Sequence, residues 1–441
     1  MLSLVEQPFT SSPSHQPDSP TVDEVNARHS HNRFNLPPCD VHTTRIILVR
    51  HGRSTFNDQQ RYQGSSDDSV LNAQGWQQAH DVGTILSSIP VDAVYASPLK
   101  RVRETAEGIA ARTSQAPMPA PVFSEQLREI HLPQWEGRHY KDVRSEDAIA
   151  YKCWLKRPHE FQMDLTHQTV VPLSRPRGLD KATAQSLRPK PQKTFPILDL
   201  YRQAQSFWQT TLPNHPGQTI VVVSHGGTNH ALISTALGLS PRFHHRLQQS
   251  NGGVSILDYS HSTATAQLRV LNCTRHLGEP LPKLKAGKQG LRLLLLPVAP
   301  QAALATNRLI QQTTAIRQHL ANIPMTYSLT QTDSVAQSIA QQLFQDRRDL
   351  VQLQVQRHDF VRQWHRALDQ GNHDGPATKQ LITGMAIAPI PTLQSLIAKT
   401  IRLRQGLAPT LPLSSGKLSV LHFPAGDHPP VLQALNLTHN Y

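Results

Sequence analysis

The chain has 441 residues, a length that suits two domains better than one hydrophobic core. Hydrophobic residues make up 38% of it, and no apolar run approaches the roughly 20 residues of a membrane-spanning helix, which argues against a membrane protein of that type. The net charge of +13 is scattered rather than gathered in runs, so it favours small anionic ligands, and we expect no nucleic-acid or membrane partner.

The chain begins with a segment that lacks the composition of a folded domain. Residues 1–43 are rich in Ser, Pro and His and too poor in apolar residues to form a core, so we expect a disordered tail. The first regular element follows directly. Arg45 to Val49 has the apolar pattern of a buried strand in a parallel sheet, where chemistry is expected at the carboxyl end.

The next segments alternate between helical and strand patterns. Helices are predicted at 74–88, 98–112 and 229–239, and strands at 91–96 and 218–224. This alternation predicts an α/β fold with a mostly parallel sheet. Residues 131–217 interrupt it, with proline and basic residues crowded into 171–196, and we interpret this stretch as an insertion that covers the functional site.

An internal repeat divides the chain. Three short matches share one offset of 164 residues, and they pair Val221–Ile233 with Met385–Ile397, Val254–Leu257 with Leu418–Leu421, and Leu271–Thr274 with Leu435–Thr438. Arg45–Val49 resembles Arg292–Leu296 at a larger offset of 247, so the first copy holds about 83 extra residues, the size of the predicted insertion. We therefore predict domains at 44–278 and 291–441, joined by a linker at 279–290.

Arg50, His51 and Gly52 carry the strongest chemical signal. A phosphoryl acceptor must be a nucleophile surrounded by fixed positive donors, and a neutral imidazole can attack near pH 7 without first losing a proton. The planar guanidinium of Arg50 suits phosphate oxygens, and Gly52 would let the backbone approach them closely. By itself, such a tripeptide could also arise by chance in a chain with 24 histidines and 44 basic residues.

Further sequence motifs accompany this tripeptide. Leu48–Asn57 (LVRHGRSTFN) and four further segments resemble, in family order, the motifs of the histidine phosphatase superfamily, also called phosphoglycerate mutase-like. These segments are Gln63–Gly64, Ser97–Ala106, Leu127–Gly137 and Ser224–Gly226. The resemblance implies two tandem phosphoglycerate mutase-like α/β/α domains, each of three layers with a mostly parallel sheet, of which the second is degenerate.

The same resemblance implies a set of roles. His51 would accept the phosphoryl group, Arg50, Arg101 and His225 would hold its oxygens, and Glu129 would protonate the leaving group and then activate water. The phosphate site would be completed by Gly52, Asn57, Gln63, Gly64 and Gly226. For Asn57 an ordinary turn, and for Gln63 an ordinary loop position, stay open as alternatives.

The resemblance implies neither a metal nor another cofactor. His29, His31, His244 and His245 lack acidic or cysteine partners at a recognisable metal-binding spacing. Cys39, Cys153 and Cys273 lie far apart, which favours a reducing compartment, and we expect a cytoplasmic protein. The oligomeric state stays open.

The expected substrate is a small phosphorylated metabolite. Trp135, Arg138, Lys141, Lys152 and Arg157 could bind a second anionic group, although a solvated basic face would explain them equally well. A branch resemblance, carried by Gln63–Ser66, Ser69–Leu71 and Asn251–Gly253, implies a sugar-acid phosphate such as 2-carboxyarabinitol 1-phosphate. Phosphoglycerate mutase-type transfer and a non-catalytic phosphometabolite sensor remain alternatives to a phosphomonoesterase.

The second copy lacks the reactive groups. In the repeat register, Pro297, Val298 and Ala299 replace Arg50, His51 and Gly52, while Pro389 replaces His225 and Gln331 stands opposite Arg101. Its apolar pattern is retained, so we expect a catalytically inactive domain kept for packing, for gating the first site or for binding a partner.

Overall fold

The computed structural model describes residues 34, 36–113, 117–165, 193–299, 306–373 and 380–437. Most of the predicted disordered tail and of the proline-rich stretch at 171–196 therefore lies outside the described residues. Among the described residues, no helix has both the length and the hydropathy that crossing a bilayer requires.

The first half of the chain forms six strands of one large sheet, with helices on both faces. Its strands are β1 (Thr43–Arg50), β2 (Ala93–Ala96), β3 (Val122–Phe123), β6 (Thr219–Ser224), β7 (Val254–Ser260) and β8 (Thr265–Cys273), with a small hairpin β4 (Met163–Asp164) and β5 (Lys193–Thr194) apart from the sheet. Its helices are α1 (Thr55–Asp58), α2 (Ala73–Leu86), α3 (Lys100–Ala110), α4 (Tyr140–Glu146), α5 (Ala148–Lys156), α6 (Pro196–Thr211) and α7 (Gly226–Ala236).

The second half repeats this arrangement. Its strands are β9 (Gly290–Val298), β10 (Tyr327–Gln331), β11 (Val351–Val355), β12 (Leu381–Pro389), β13 (Leu418–Pro424) and β14 (Val431–Leu437), and its helices are α8 (Thr306–Leu320), α9 (Ser334–Phe344), α10 (Arg357–His373) and α11 (Ile390–Thr400). The sheet order is β3-β2-β6-β1-β7-β8 followed by β14-β13-β9-β12-β10-β11, which is the same order read backwards. In each half four strands are parallel, and the α/β prediction with tandem, mostly parallel sheets is confirmed.

Helices cover both faces of each half. On one face α6 and α7 pack on the sheet of the first half, as α10 and α11 do on that of the second. On the other face α2 and α3 are matched by α8 and α9. Each apolar layer runs across both halves, so the two copies share continuous hydrophobic cores above and below the sheet.

Strand register tests the predicted alignment of the copies. Val49 pairs with Val223 in the first half, and their equivalents Leu296 and Ile387 pair in the second. The replacement of His51 by Val298 and of His225 by Pro389 follows directly from this register. The alignment of Gln331 with Arg101 was wrong.

Gln331 is the last residue of β10, whereas Arg101 is the second residue of α3. Because α3 begins at Lys100 and α9 at Ser334, the equivalent of Arg101 is Val335. The sequence match therefore aligned the two copies four residues out of register in this region. The conclusion that the second copy lacks this arginine is unchanged.

The two halves meet through equivalent residues. Leu271 of β8 pairs antiparallel with Leu435 of β14, its own repeat counterpart. Asn272 Nδ2 donates to the Gln433 carbonyl at 2.8 Å, and its counterpart Asn436 donates to the Arg269 carbonyl at 2.8 Å. Such reciprocal contacts define a pseudo-two-fold axis between β8 and β14, as in a symmetric dimer joined into one chain.

The predicted insertion extends too far toward the carboxyl end. Helix α6 lies within residues 131–217, yet its buried face of Ile197, Leu200, Ala204 and Phe207 packs in the core beside α7. Helix α10 occupies the matching place in the second half, so α6 belongs to the repeated fold. These apolar side chains have helical spacing. Their segment directly follows the proline-rich stretch, whose composition led to the prediction of an insertion up to residue 217.

Candidate active site

The carboxyl ends of two neighbouring parallel strands place two histidines side by side. Arg50 pairs with Ser224 at the ends of β1 and β6, so the next residue of each strand, His51 and His225, enters the same space. Both side chains are buried, and their rings pack edge to face with centroids 5.3 Å apart. Their closeness follows from the sheet register, since side chains beyond adjacent strand ends face the same crevice.

Hydrogen bonding sets the tautomer of His51. Its Nδ1 lies 2.7 Å from the carbonyl oxygen of Gly52, and because a carbonyl only accepts, Nδ1 carries the proton. Burial, together with Arg50 and Arg101, lowers the pKa of His51 well below its usual range. The ring is therefore neutral near pH 7, and Nε2 keeps its lone pair.

Two buried arginines flank this ring. Arg50 donates from Nη1 to the Gln249 carbonyl at 2.8 Å, and Arg101 donates to the carbonyls of Gly64 and Ser66 at 2.9 and 2.8 Å. Burial lowers the pKa of both guanidinium groups, that of Arg101 to about 10. In the part of the chain that the structure describes, the Nε atoms of both arginines are buried without a hydrogen-bond partner.

His225 adds a third unpartnered nitrogen. Its Nε2 lies 2.8 Å from the Ser97 hydroxyl, whereas its buried Nδ1 has no partner among the described residues. Burial and the nearby Arg101 lower the pKa of His225 well below the ordinary value. Buried polar atoms in folded proteins are nearly always hydrogen-bonded, so three such nitrogens around one imidazole indicate a site for an anion.

Asn57 and Gln63 are oriented by neighbours that bind their amide oxygens. Asn57 Oδ1 accepts from Asn251 Nδ2 at 2.9 Å, and Gln63 Oε1 accepts from the Ser54 hydroxyl at 2.9 Å. Both residues line the cavity that contains His51. With their oxygens occupied, their NH₂ groups are the donors left for a ligand.

Glu129 is held by the first turn of α7. Its carboxylate accepts from the backbone N–H groups of Gly227 and Thr228, each at 3.0 Å, and from the Thr228 hydroxyl at 3.2 Å. Helix N-termini present unpaired N–H groups that favour such a carboxylate. The side chain lines the same cavity as His51, so α7 orients it toward the site.

The glycines serve different purposes from one another. Gly64 and Gly226 line the cavity, and Gly64 has a left-handed φ of 51°. Gly52 does not line it. A Cβ there would lie 2.3 Å from the Gly75 carbonyl oxygen, so the predicted approach to phosphate is replaced by close packing against α2. A side chain at Gly226 would press on the Arg50 guanidinium at 3.3 Å.

The cavity has a volume of about 480 Å³, within the range of small-molecule sites. Of the predicted site residues, Arg50, His51, Asn57, Gln63, Gly64, Arg101, Glu129 and Gly226 line it, and the ring of His225 packs against that of His51. The predicted insertion covers one side through α4 and α5, which supply Tyr140, Arg144, Tyr151 and Trp154. Among the described residues, no group of three or more His, Cys, Asp or Glu side chains could hold a metal ion.

The five insertion residues considered for a second anion do not line this cavity. Arg138 is ion-paired with Glu146 and Asp147, and Arg157 is ion-paired with Glu160. Trp135 is buried and donates to Asp147, while Lys141 and Lys152 are exposed. Acidic neighbours within the insertion neutralise the arginines, which sequence spacing did not indicate.

Sequence reasoning missed several other cavity residues. Lys285 comes from the segment between the halves, and His428 and Pro429 come from the turn between β13 and β14. The degenerate half therefore contacts the site that contains His51. Nothing in their local sequence marks these residues, because the pairing of β8 with β14 brings them to the cavity.

The model of the histidine phosphatase superfamily (branch 1) matches residues 46–169 and 165–273, about half of the chain. The chain belongs to the histidine phosphatase superfamily. The match covers the half that contains His51, Arg101, Glu129 and His225.

Individual relatives of this superfamily are similar over the same half. A probable 2-carboxy-D-arabinitol-1-phosphatase of Arabidopsis thaliana is 34% identical over 218 residues, which are 49% of this chain and 38% of the relative. A probable phosphoglycerate mutase, GpmB, of Escherichia coli K12 is 30% identical over 49% of this chain and 86% of its own. The chain thus spans about two fifths of the length of the first of these relatives.

A solved structure covers a similar share. The phosphoserine phosphatase of Entamoeba histolytica in complex with 3-phosphoglyceric acid is 26% identical and covers 53% of this chain and 99% of its own, with a TM-score of 0.41.

Proposed function

We propose that the chain is a phosphomonoesterase that acts on a small phosphorylated metabolite through a phosphohistidine at His51. One observation carries the proposal. His51 presents a neutral Nε2 lone pair beside three buried nitrogens without a partner among the described residues, on Arg50, Arg101 and His225. This arrangement supplies a nucleophile and fixed donors for the oxygens of a phosphoryl group.

The reaction has two steps. In the first, Nε2 of His51 forms a bond to phosphorus while the ester P–O bond breaks, and the leaving oxygen takes a proton from Glu129. In the second, Glu129 accepts a proton from water, whose oxygen bonds to phosphorus as the P–N bond breaks. Inorganic phosphate and the starting form of the enzyme result. The N–H groups of α7 keep the Glu129 carboxylate in one orientation for both steps.

The cavity and the relatives support a proposal for the substrate class. The cavity volume of about 480 Å³ accommodates a phosphate together with a short polar skeleton. The similarity to a probable 2-carboxy-D-arabinitol-1-phosphatase supports a sugar-acid phosphate such as 2-carboxyarabinitol 1-phosphate. Mutase-type transfer is the second candidate, favoured by the similarity to GpmB.

The proposal is tested by steady-state hydrolysis of a panel of small phosphate esters with wild type and His51→Ala. We expect release of inorganic phosphate by wild type and a loss of at least about 1000-fold in the variant. His358→Ala removes an exposed histidine of the second half and is the matched control. Equal activity of wild type and His51→Ala would refute the assignment.

Two further readouts separate the alternatives. A protein-bound phosphate that is stable to base and labile to acid, formed by wild type and not by His51→Ala, is expected for a phosphohistidine. A mutase would return an isomerised ester rather than inorganic phosphate. A sensor would bind the esters with neither turnover nor bound phosphate.

A further inference from the structure

We propose that Lys285, held in place by the degenerate half, binds a second anionic group of the substrate, and that the substrate is therefore a phosphate ester that also carries a carboxylate. This inference rests on the proposed function, because it names the substrate class of the same cavity. It also assigns a role to the second half, which supplies one wall of the site and no reacting group.

Lys285 projects into the cavity beside the phosphate-binding groups. Its Nζ donates to the Gln249 carbonyl at 2.6 Å, the same oxygen that accepts from Arg50 Nη1 at 2.8 Å. One carbonyl thus anchors the ammonium and the guanidinium side by side. The side chain is open to the cavity, which leaves its remaining N–H groups accessible to a ligand.

In the described part of the chain, no carboxylate lies within ion-pair distance of this ammonium. Glu279, an acid of the same segment, is ion-paired with Lys283 at 2.8 Å. The surrounding protein and the nearby Arg50 lower the pKa of Lys285 well below its ordinary value. An anion bound between the two cations would relieve this repulsion, which makes the position suited to a negatively charged group.

The second half fixes the segments that carry Lys285 and its anchor. The backbone N–H of Gln248 donates to the Leu432 carbonyl at 3.0 Å, and Gln433 Nε2 donates to Gln248 Oε1 at 3.0 Å. Gln248 Nε2 in turn donates to the Lys283 carbonyl at 3.0 Å. Strand β14 is thereby connected through Gln248 to the residue that precedes the anchoring Gln249 carbonyl and to the segment that carries Lys285.

Residues of the second half and of the insertion line the same cavity as Lys285. His428 and Pro429, from the turn between β13 and β14, line the cavity together with Arg144 of α4. The phosphoryl group occupies the end near His51, so a second anion at Lys285 is joined to it by a short carbon skeleton. A carboxylate is the smaller of the common metabolite anions, and an ammonium forms charge-assisted hydrogen bonds with it.

The test compares two esters that share a skeleton. In 3-phosphoglycerate a carboxylate occupies the position that a hydroxymethyl group takes in glycerol 3-phosphate. Dissociation constants are measured by calorimetry on His51→Ala, which cannot consume either ester, and on His51→Ala/Lys285→Met. We expect 3-phosphoglycerate to bind at least about tenfold more tightly than glycerol 3-phosphate, and Lys285→Met to abolish this difference without weakening glycerol 3-phosphate.

Controls distinguish recognition from structural damage. Lys288→Met alters another exposed lysine of the same segment and should retain the preference, and Lys285→Arg should retain most of it. Equal weakening of both esters by Lys285→Met, or no preference in the parent protein, would overturn the inference. Because binding is measured without turnover, these results do not depend on the hydrolysis assay, whose failure would reject the proposed function instead.

Discussion

Gly227→Ala should inactivate the site while leaving the fold intact. A Cβ at this position would lie 2.6 Å from Glu129 Oε1, whereas ordinary contacts between heavy atoms begin near about 3.5 Å. The carboxylate must therefore move by about 1 Å. Its hydrogen bonds to the N–H groups of Gly227 and Thr228, both 3.0 Å, would then exceed the length at which such bonds are effective.

The expected effect on activity is large, whereas the expected effect on stability is small. A displacement of about 1 Å in a catalytic group costs about 100-fold in rate, so kcat/KM should fall by that factor. Alanine is a better helix former than glycine by about 1 kcal/mol, and the displaced atom is the end of a flexible side chain. The melting temperature should therefore change by no more than a few degrees.

A double-mutant cycle assigns the loss to Glu129. Hydrolysis of a small phosphate ester is measured for wild type, Gly227→Ala, Glu129→Gln and the double variant. If Gly227→Ala acts by displacing the carboxylate, it should cost little in the Glu129→Gln background. A folded Gly227→Ala protein with wild-type kcat/KM, or the same 100-fold loss in both backgrounds, would refute this reasoning.

Three other predictions concern the phosphate site and the junction of the halves. Arg101→Met should lower kcat/KM by about 100-fold to 1000-fold and also lower the melting temperature, since it removes the proposed phosphate donor and two bonds to loop carbonyls; an active variant would contradict the proposed role. Because the pKa of His51 is lowered, its ring should stay neutral as the pH falls through 6.5, and a histidine resonance lost in His51→Ala that titrates near 6.5 would contradict this. Asn272→Ala and Asn436→Ala should each cost about 2–3 kcal/mol in the free energy of unfolding measured with denaturant, because Asn272 combines a left-handed φ with two side-chain hydrogen bonds and Asn436 combines one with three; markedly unequal losses would argue against the symmetric junction.

The sequence predicted the parts of the site that depend on local strand and helix patterns. His51 and His225 each lie two residues beyond an apolar run that predicts a buried strand, and the parallel register brings such strand ends together. Arg101 lies in the first turn of the helix that follows the next strand, as the helical pattern at 98–112 predicted. The repeat offset of 164 residues identified the copies because the β-sheet register is the same in both.

Other parts depended on contacts between distant segments. Lys285 and His428 reach the cavity only because β14 pairs with β8, and no local pattern contains that information. Arg138 was considered for ligand binding as a basic residue of the insertion. Its partners Glu146 and Asp147 become its neighbours only when α4 and α5 form, so the sequence did not indicate that its charge is neutralised. Gly52 was predicted to approach phosphate because it follows His51, whereas its small size is required by close contact with the backbone of α2.

The pseudo-two-fold junction also affects how the site is kept together. The turn that carries His428 and the cavity it covers belong to one polypeptide, so their encounter is intramolecular and dilution cannot separate them. The second copy can therefore lack the reacting groups without weakening its association with the first copy. The second half thus acts as a permanently attached subunit, and it contributes to the site through the residues that it presents to the cavity.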